Sequence, residues 1–140
     1  MSIATTNPAT GAVEATFEAL SGTEIDARLE RAREAFARQG STTIEERAGW
    51  MEAAAGILDG EADQIAAMLT TEMGKTIKAA RAEARKCAGA CRFYARNAAR
   101  FLADRPADAQ AVGAERAWIR YRPIGPVLAV MPGNFPLWQV

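Results

Sequence analysis

The group in this sequence best suited to chemistry is the side-chain amide of Asn134, in the stretch Pro132-Gly133-Asn134-Phe135-Pro136. An amide N–H can donate a hydrogen bond to an oxygen that gains negative charge during a reaction. Losing one such donor typically costs about 2.7–4 kcal/mol in the transition state. An asparagine in such company also serves simply to satisfy a turn. Cys87 and Cys91 lie one helical turn apart, and 2 cysteines in all give neither a disulfide framework nor a four-ligand zinc site. They read as small core residues. Histidine is absent, which removes Ser-His-Asp and Cys-His activation and histidine-ligated metals from anything these residues do unaided. No metal site is expected.

The elements that must position Asn134 are bounded first by composition. A chain of 140 residues with 49% apolar side chains suffices for one modest domain or part of a larger one. Lys plus Arg and Asp plus Glu balance at 17 each, so bulk charge points neither to nucleic acid nor to an anionic membrane surface. The start, Met1-Ser2-Ile3-Ala4-Thr5-Thr6-Asn7, lacks a signal peptide's basic segment and apolar run, and no later stretch is apolar enough to span a bilayer. A cytoplasmic location with no membrane partner is the expectation.

Asn7-Pro8-Ala9-Thr10-Gly11 combines turn residues, and Val13, Ala15 and Phe17 alternate with Glu14, Thr16 and Glu18, so residues 1–20 read as a hairpin or edge strand. Residues 21–104 read as helical. Ser21 with Glu24, and Thr43 with Glu46, are capping-box starts. Ile25, Leu29, Ala32 and Phe36 form the apolar face of the first helix, and Ala48, Met51, Ala55 and Leu58 that of the second, closed by Gly60. Ile65, Met68, Leu69 and Glu72 continue a third helix to Gly74, a residue suited to a left-handed stop.

From Thr76 to about Ala103 the positions Ile77, Ala80, Ala84, Cys87, Cys91, Tyr94, Ala98 and Phe101 step by three and four until Pro106. Roughly 28 residues give a rod of about 42 Å. Arg81, Glu83, Arg85, Lys86, Arg92, Arg96 and Arg100 mostly fall on its other faces and read as solvated surface with scattered ion pairs.

After a polar, alanine-rich link from Arg105 to Arg116, residues 117–122 read as a strand and Pro123-Ile124-Gly125-Pro126 as a tight connection. Val127-Leu128-Ala129-Val130-Met131 is uninterruptedly apolar, which suits a strand buried on both faces of a parallel sheet. The Asn134 loop leaves its carboxyl edge, where open α/β sheets bind ligands, and Pro136 suits the first turn of a following helix. Residues 127–140 therefore read as the start of an α/β core. A lone apolar strand without a comparable neighbour marks that core as incomplete.

Arg122-Pro123-Ile124-Gly125-Pro126, the apolar run and Pro132-Gly133-Asn134-Phe135-Pro136 together resemble the aldehyde dehydrogenase family. The resemblance runs in order from Asn7-Pro8-Ala9-Thr10-Gly11 through Glu72-Met73-Gly74-Lys75 to the end of the chain. It implies an α/β fold, here amino-terminal helices plus the first strands of the dinucleotide-binding domain. Lys86-Cys87-Ala88, Phe93-Tyr94-Ala95 and Phe101-Leu102-Ala103-Asp104 look most like the succinate-semialdehyde branch that uses NADP, with NAD the other cofactor in the family. In such enzymes a thiolate attacks the aldehyde, hydride passes to the nicotinamide, and a carboxylate-activated water releases the acid.

By the same resemblance Asn134 donates to the oxyanion, Met131, Pro132 and Gly133 run beside the cofactor, and Phe135 and Gln139 face the aldehyde. Glu72 and Lys75 match neither the family's base nor its cofactor-binding lysine and read as structural. Cys87 and Cys91 are not the nucleophile, which lies beyond residue 140. Residues 117–122 resemble part of an oligomerisation hairpin, implying a homo-oligomer at full length, with no nucleic-acid partner. Gly133 departs from the family, which carries tryptophan there; a loss of that size usually costs about 3–5 kcal/mol. The expectation is an aldehyde-oxidising enzyme of which these 140 residues are an inactive fragment. The competing one is a non-catalytic helical module that docks on full-length subunits.

Overall fold

The computed structural model describes residues 3–140. Asn7 organises the first turn. Its N–H donates to the Ala12 carbonyl at 2.8 Å, its carbonyl accepts from the Gly11 N–H at 2.8 Å, and its side-chain oxygen accepts from the Ala9 N–H at 3.0 Å. Gly11 adopts a φ of +73°, which few side chains tolerate. The turn closes β1 (Ile3–Thr6) antiparallel onto β2 (Val13–Phe17), with an irregularity between Thr5 and Thr6. The hairpin read for residues 1–20 is present there, while Met1 and Ser2 lie outside the described residues.

Both capping boxes form. Ser21 starts α1 (Gly22–Gln39) and receives the Glu24 carboxylate on its own N–H at 2.8 Å; Thr43 starts α2 (Ile44–Gly60) and receives Glu46 at 2.7 Å. α3 (Ala62–Met73) follows after Glu61 alone and stops at Gly74, whose φ is +68°. A Cβ on Gly74 would also stand 2.9 Å from Pro8 Cγ, so the helix stop and the hairpin turn share one requirement for glycine. Thr76 caps α4 (Ile77–Phe101), whose 25 residues span about 38 Å.

α4 packs along α2 and α3 through small side chains: Ala55 of α2, Ala62, Ala66 and Leu69 of α3, and Ala80, Ala84, Cys87 and Ala88 of α4 are buried. Alanine at these positions lets the helices approach closely with little side-chain entropy lost. Arg92 to Asp59 at 2.7 Å and Arg81 to Asp63 at 2.5 Å fasten the edges. The apolar stripe of α1 differs from its expected role. Ile25 and Leu29 are exposed, Ala32 and Phe36 half-buried, and no residue of α1 is buried.

The far half of α4 is more open than its periodicity suggests, since Cys91 is half-buried and Tyr94 and Phe101 are exposed. The larger correction is Glu83. Expected on a solvated face, it is 3% exposed and belongs to the buried stripe of α4.

The strand read for residues 117–122 is shorter. β3 (Arg105–Pro106) pairs antiparallel with β4 (Trp118–Ile119), and Arg120 forks onto Asp104 at 2.5–3.0 Å. The strand expected over Val127–Met131 does not form. Val127, Leu128 and Val130 are 88%, 89% and 83% exposed, and none of the described strands runs beside them. An apolar run supplies the side chains of a central strand but not the neighbours whose ladder defines it. Nor does a helix start at Pro136; residues 133–139 make successive turns, with the Val140 N–H donating to the Leu137 carbonyl at 3.3 Å. The mixed helix and strand class holds, without a parallel sheet among the described residues.

Candidate functional site

The Asn134 loop lies against α4 and the end of α3. Leu137 packs on the cluster of Ala66, Leu69 and Ala80, with Ile65 beside it. Leu137 and Trp138 also line a cleft at α2 and α4 together with Met51, Leu58, Cys87 and Tyr94. Packing of the half-buried Leu137 thus gives the loop a seat, and polar contacts then fix its path.

Those contacts converge on Glu83. One carboxylate oxygen accepts the N–H groups of Leu137 at 3.0 Å and Trp138 at 3.1 Å, and the other pairs with Lys75 Nζ. The two N–H groups begin a turn and have no partner from within it, as at a helix start, where an anion is favoured. Lys75 also donates to the Asn134 main-chain carbonyl at 2.8 Å, and its ammonium stands 4.0 Å from the Phe135 ring centre. Lys86 similarly covers Trp138 at 3.5 Å. The side chains of Lys75 and Glu83 are 14% and 1% exposed, so this is a buried ion pair with both carboxylate oxygens satisfied. Burial alone would push the Glu83 carboxyl up. The hydrogen bonds from Lys75, Trp138 and Leu137 outweigh it and hold the group below its ordinary 4.5.

The residues singled out in the sequence are contiguous here and differ in exposure. Met131, Gly133 and Pro136 are half-buried, whereas Pro132, Asn134, Phe135 and Gln139 are exposed. The Phe135 N–H donates to the Pro132 carbonyl at 3.3 Å, which turns the chain at Asn134. The Met73 methyl lies in the volume that a side chain on Gly133 would enter. Cys87 is buried, and burial first, then the nearby Glu83 and Cys91, pushes its thiol up, the reverse of what a nucleophile needs. No group of metal-ligating side chains occurs among the described residues, and no helix of the described residues is long and apolar enough to cross a membrane.

Sequence reasoning missed Glu83 as a contact of this loop, and with it the reach of Lys75. A signal was present: Glu83 is three residues after Ala80 and four before Cys87, a charge placed on the apolar stripe. Met73 left no such mark.

The sequence model of the aldehyde dehydrogenase family matches residues 1–140. A succinate-semialdehyde dehydrogenase (NADP(+)) of Mycobacterium avium (strain 104) is 59% identical over 140 residues, 99% of this chain and 30% of that protein. The crystal structure of succinic semialdehyde dehydrogenase from Streptococcus pyogenes in complex with NADP+ superposes with a TM-score of 0.88 at 31% identity, covering 97% of this chain and 30% of that one. The structure of NADP-dependent glyceraldehyde-3-phosphate dehydrogenase from Bacillus halodurans C-125 complexed with NADP gives a TM-score of 0.88 at 27% identity, covering 99% and 30%. The chain thus spans about 30% of the length of the curated relatives it matches. Ordered similarity over the whole chain, together with the same backbone fold, places this protein in the aldehyde dehydrogenase family.

Proposed function

We propose that these residues supply the oxyanion loop and the beginning of the cofactor-binding core of an enzyme that oxidises succinate semialdehyde to its acid with NADP+. The observation that carries this reading is the seated Asn134 loop. The asparagine is exposed, its carbonyl is held by Lys75, and its following turn is held by Glu83. An amide carried on a backbone held in this way can donate to the aldehyde oxygen as negative charge develops on it, with little movement of the loop at the moment of reaction. Phe135 and Gln139, exposed on the same loop, would line the approach of the aldehyde.

The main chain of Met131, Pro132 and Gly133 is joined to no strand ladder, and its role beside a dinucleotide is supported by the family resemblance of this stretch. Bound NADP+ would accept the hydride. The choice of NADP+ and of succinate semialdehyde is supported by the 59% identical relative, which carries both in its name. The nucleophile and the base are not among the groups seated here. Cys87 is buried and raised, and Glu83 is consumed by structural hydrogen bonds. Cytoplasmic residence and assembly of like subunits, the latter through residues 117–122, belong to the same proposal. The exposed edge of β4, with Trp118 and Ile119 about half exposed, supports that assembly.

The test is a hybrid in which residues 1–140 replace the matching segment of a full-length relative, assayed for NADPH formation with succinate semialdehyde, with and without Gly133→Trp. Oxidation by either form is expected. Two folded hybrids that oxidise no aldehyde would overturn the proposal.

A further inference from the structure

We infer that Lys75 and Glu83 are positioning residues for Asn134, with Lys75 fixing the asparagine's own carbonyl and Glu83 fixing the turn that follows it. The inference rests on the oxyanion role proposed for the Asn134 amide. Three points of the loop backbone are held: the carbonyl of residue 134 and the N–H groups of residues 137 and 138. All three trace to one ion pair whose lysine lies between α3 and α4 and whose glutamate is on α4 itself. The helical layer therefore sets where the backbone that carries the amide stands.

The amino-terminal side of Asn134 offers no equal restraint. Gly133 brings no side chain, its contact there is the flexible end of Met73, and Val127, Leu128 and Val130 upstream are almost fully exposed. Beside the Leu137 packing and the Phe135 to Pro132 hydrogen bond, Lys75 and Glu83 supply the polar restraint that ties the backbone of this loop to the helices. A catalytic donor displaced by about 1 Å can lose on the order of a hundredfold in rate. Glu83 is suited to this work because its side chain is almost unexposed on a helix and both its oxygens are occupied. Lys75 spans the remaining gap and closes over the Phe135 ring.

An ion pair that merely stabilised the helices would lower activity independently of Asn134, so a double-mutant cycle separates the two roles. In the active hybrid, Lys75→Met and Glu83→Gln are each expected to lower kcat about tenfold or more while KM changes less than about threefold. In an Asn134→Ala background the same substitutions are expected to cause almost no further loss, and Lys75→Arg is expected to retain more activity than Lys75→Met. Losses that multiply instead would overturn the inference while leaving the Asn134 role intact. An Asn134→Ala hybrid with unchanged kcat would instead remove the oxyanion role itself.

A second readout uses the 140-residue chain. Glu83→Gln should speed amide exchange at Leu137 and Trp138 by about tenfold or more with little change in the helices. Unchanged exchange at those two amides would also overturn the inference.

Discussion

The methyl of Met73, at the end of α3, occupies the space into which a side chain on Gly133 would project. The gap left by glycine is thus filled from below by an unbranched, adaptable side chain. Because the obstructing atom is the far end of that side chain, a residue larger than glycine displaces it by rotation rather than by moving backbone. Met73 is itself 44% exposed and has room to turn. Glycine still leaves the residue before Asn134 with more backbone freedom than any other amino acid. In the hybrid, Gly133→Trp is therefore expected to raise kcat, with the kcat ratio of the two forms as the measurement. Equal activity would show that Met73 already supplies what the aromatic side chain does.

The Glu83 carboxyl has a defined pH signature. Its folded value is lowered below 4.5, so the stability it contributes is fully present above that pH and is lost as pH falls through the lower folded value. Denaturant unfolding of wild type and Glu83→Gln from neutral pH downward should show a stability gap that is constant above about pH 4.5 and shrinks below it. Lys75→Met leaves the carboxylate buried without its cation, and destabilisation of about 3–5 kcal/mol at neutral pH is expected.

Gly74 carries two constraints at once, a left-handed φ of +68° and a Pro8 ring atom 2.9 Å from where a Cβ would stand. Gly74→Ala is expected to destabilise by about 1–2 kcal/mol from the backbone conformation, with more from the Pro8 contact. The denaturation midpoint measures it, and a change within about 0.5 kcal/mol would contradict the packing of the hairpin turn on the end of α3.

The two cysteines differ in burial and should differ in reactivity. Cys87 is buried with its thiol raised, while Cys91 is only half-buried. Alkylation of the native chain is expected to label Cys91 first, and succinate semialdehyde is expected to produce no NADPH with the 140-residue chain alone. Peptide mapping after partial alkylation and a cofactor-reduction assay check the two outcomes.

Local signals were the legible ones. Ser21 with Glu24, Thr43 with Glu46, and the glycine stop at 74 each act within one turn of chain, and each appears where its residues predict. The Asn7 to Gly11 turn is likewise local. Val127 to Met131 departs from its expected strand for the opposite reason: a buried strand depends on partners distant in sequence, and its composition carries no information on whether they are present. The same distance hid the site's support. Asn134 stands out as a residue type, but its tie to Lys75 crosses 59 residues and that of Leu137 to Glu83 crosses 54. Glu83 was legible only as an exception on the α4 stripe, where a charge among Ala80, Ala84 and Cys87 requires a partner once it is buried.

The most direct measurement is kcat/KM for succinate semialdehyde and NADP+ in the hybrid carrying residues 1–140, beside its Asn134→Ala variant. Removal of the amide donor is expected to lower the rate by about 10²–10³-fold, with folding and cofactor affinity nearly unchanged. Equal kcat/KM in the two proteins would contradict the assignment of Asn134 to the oxyanion.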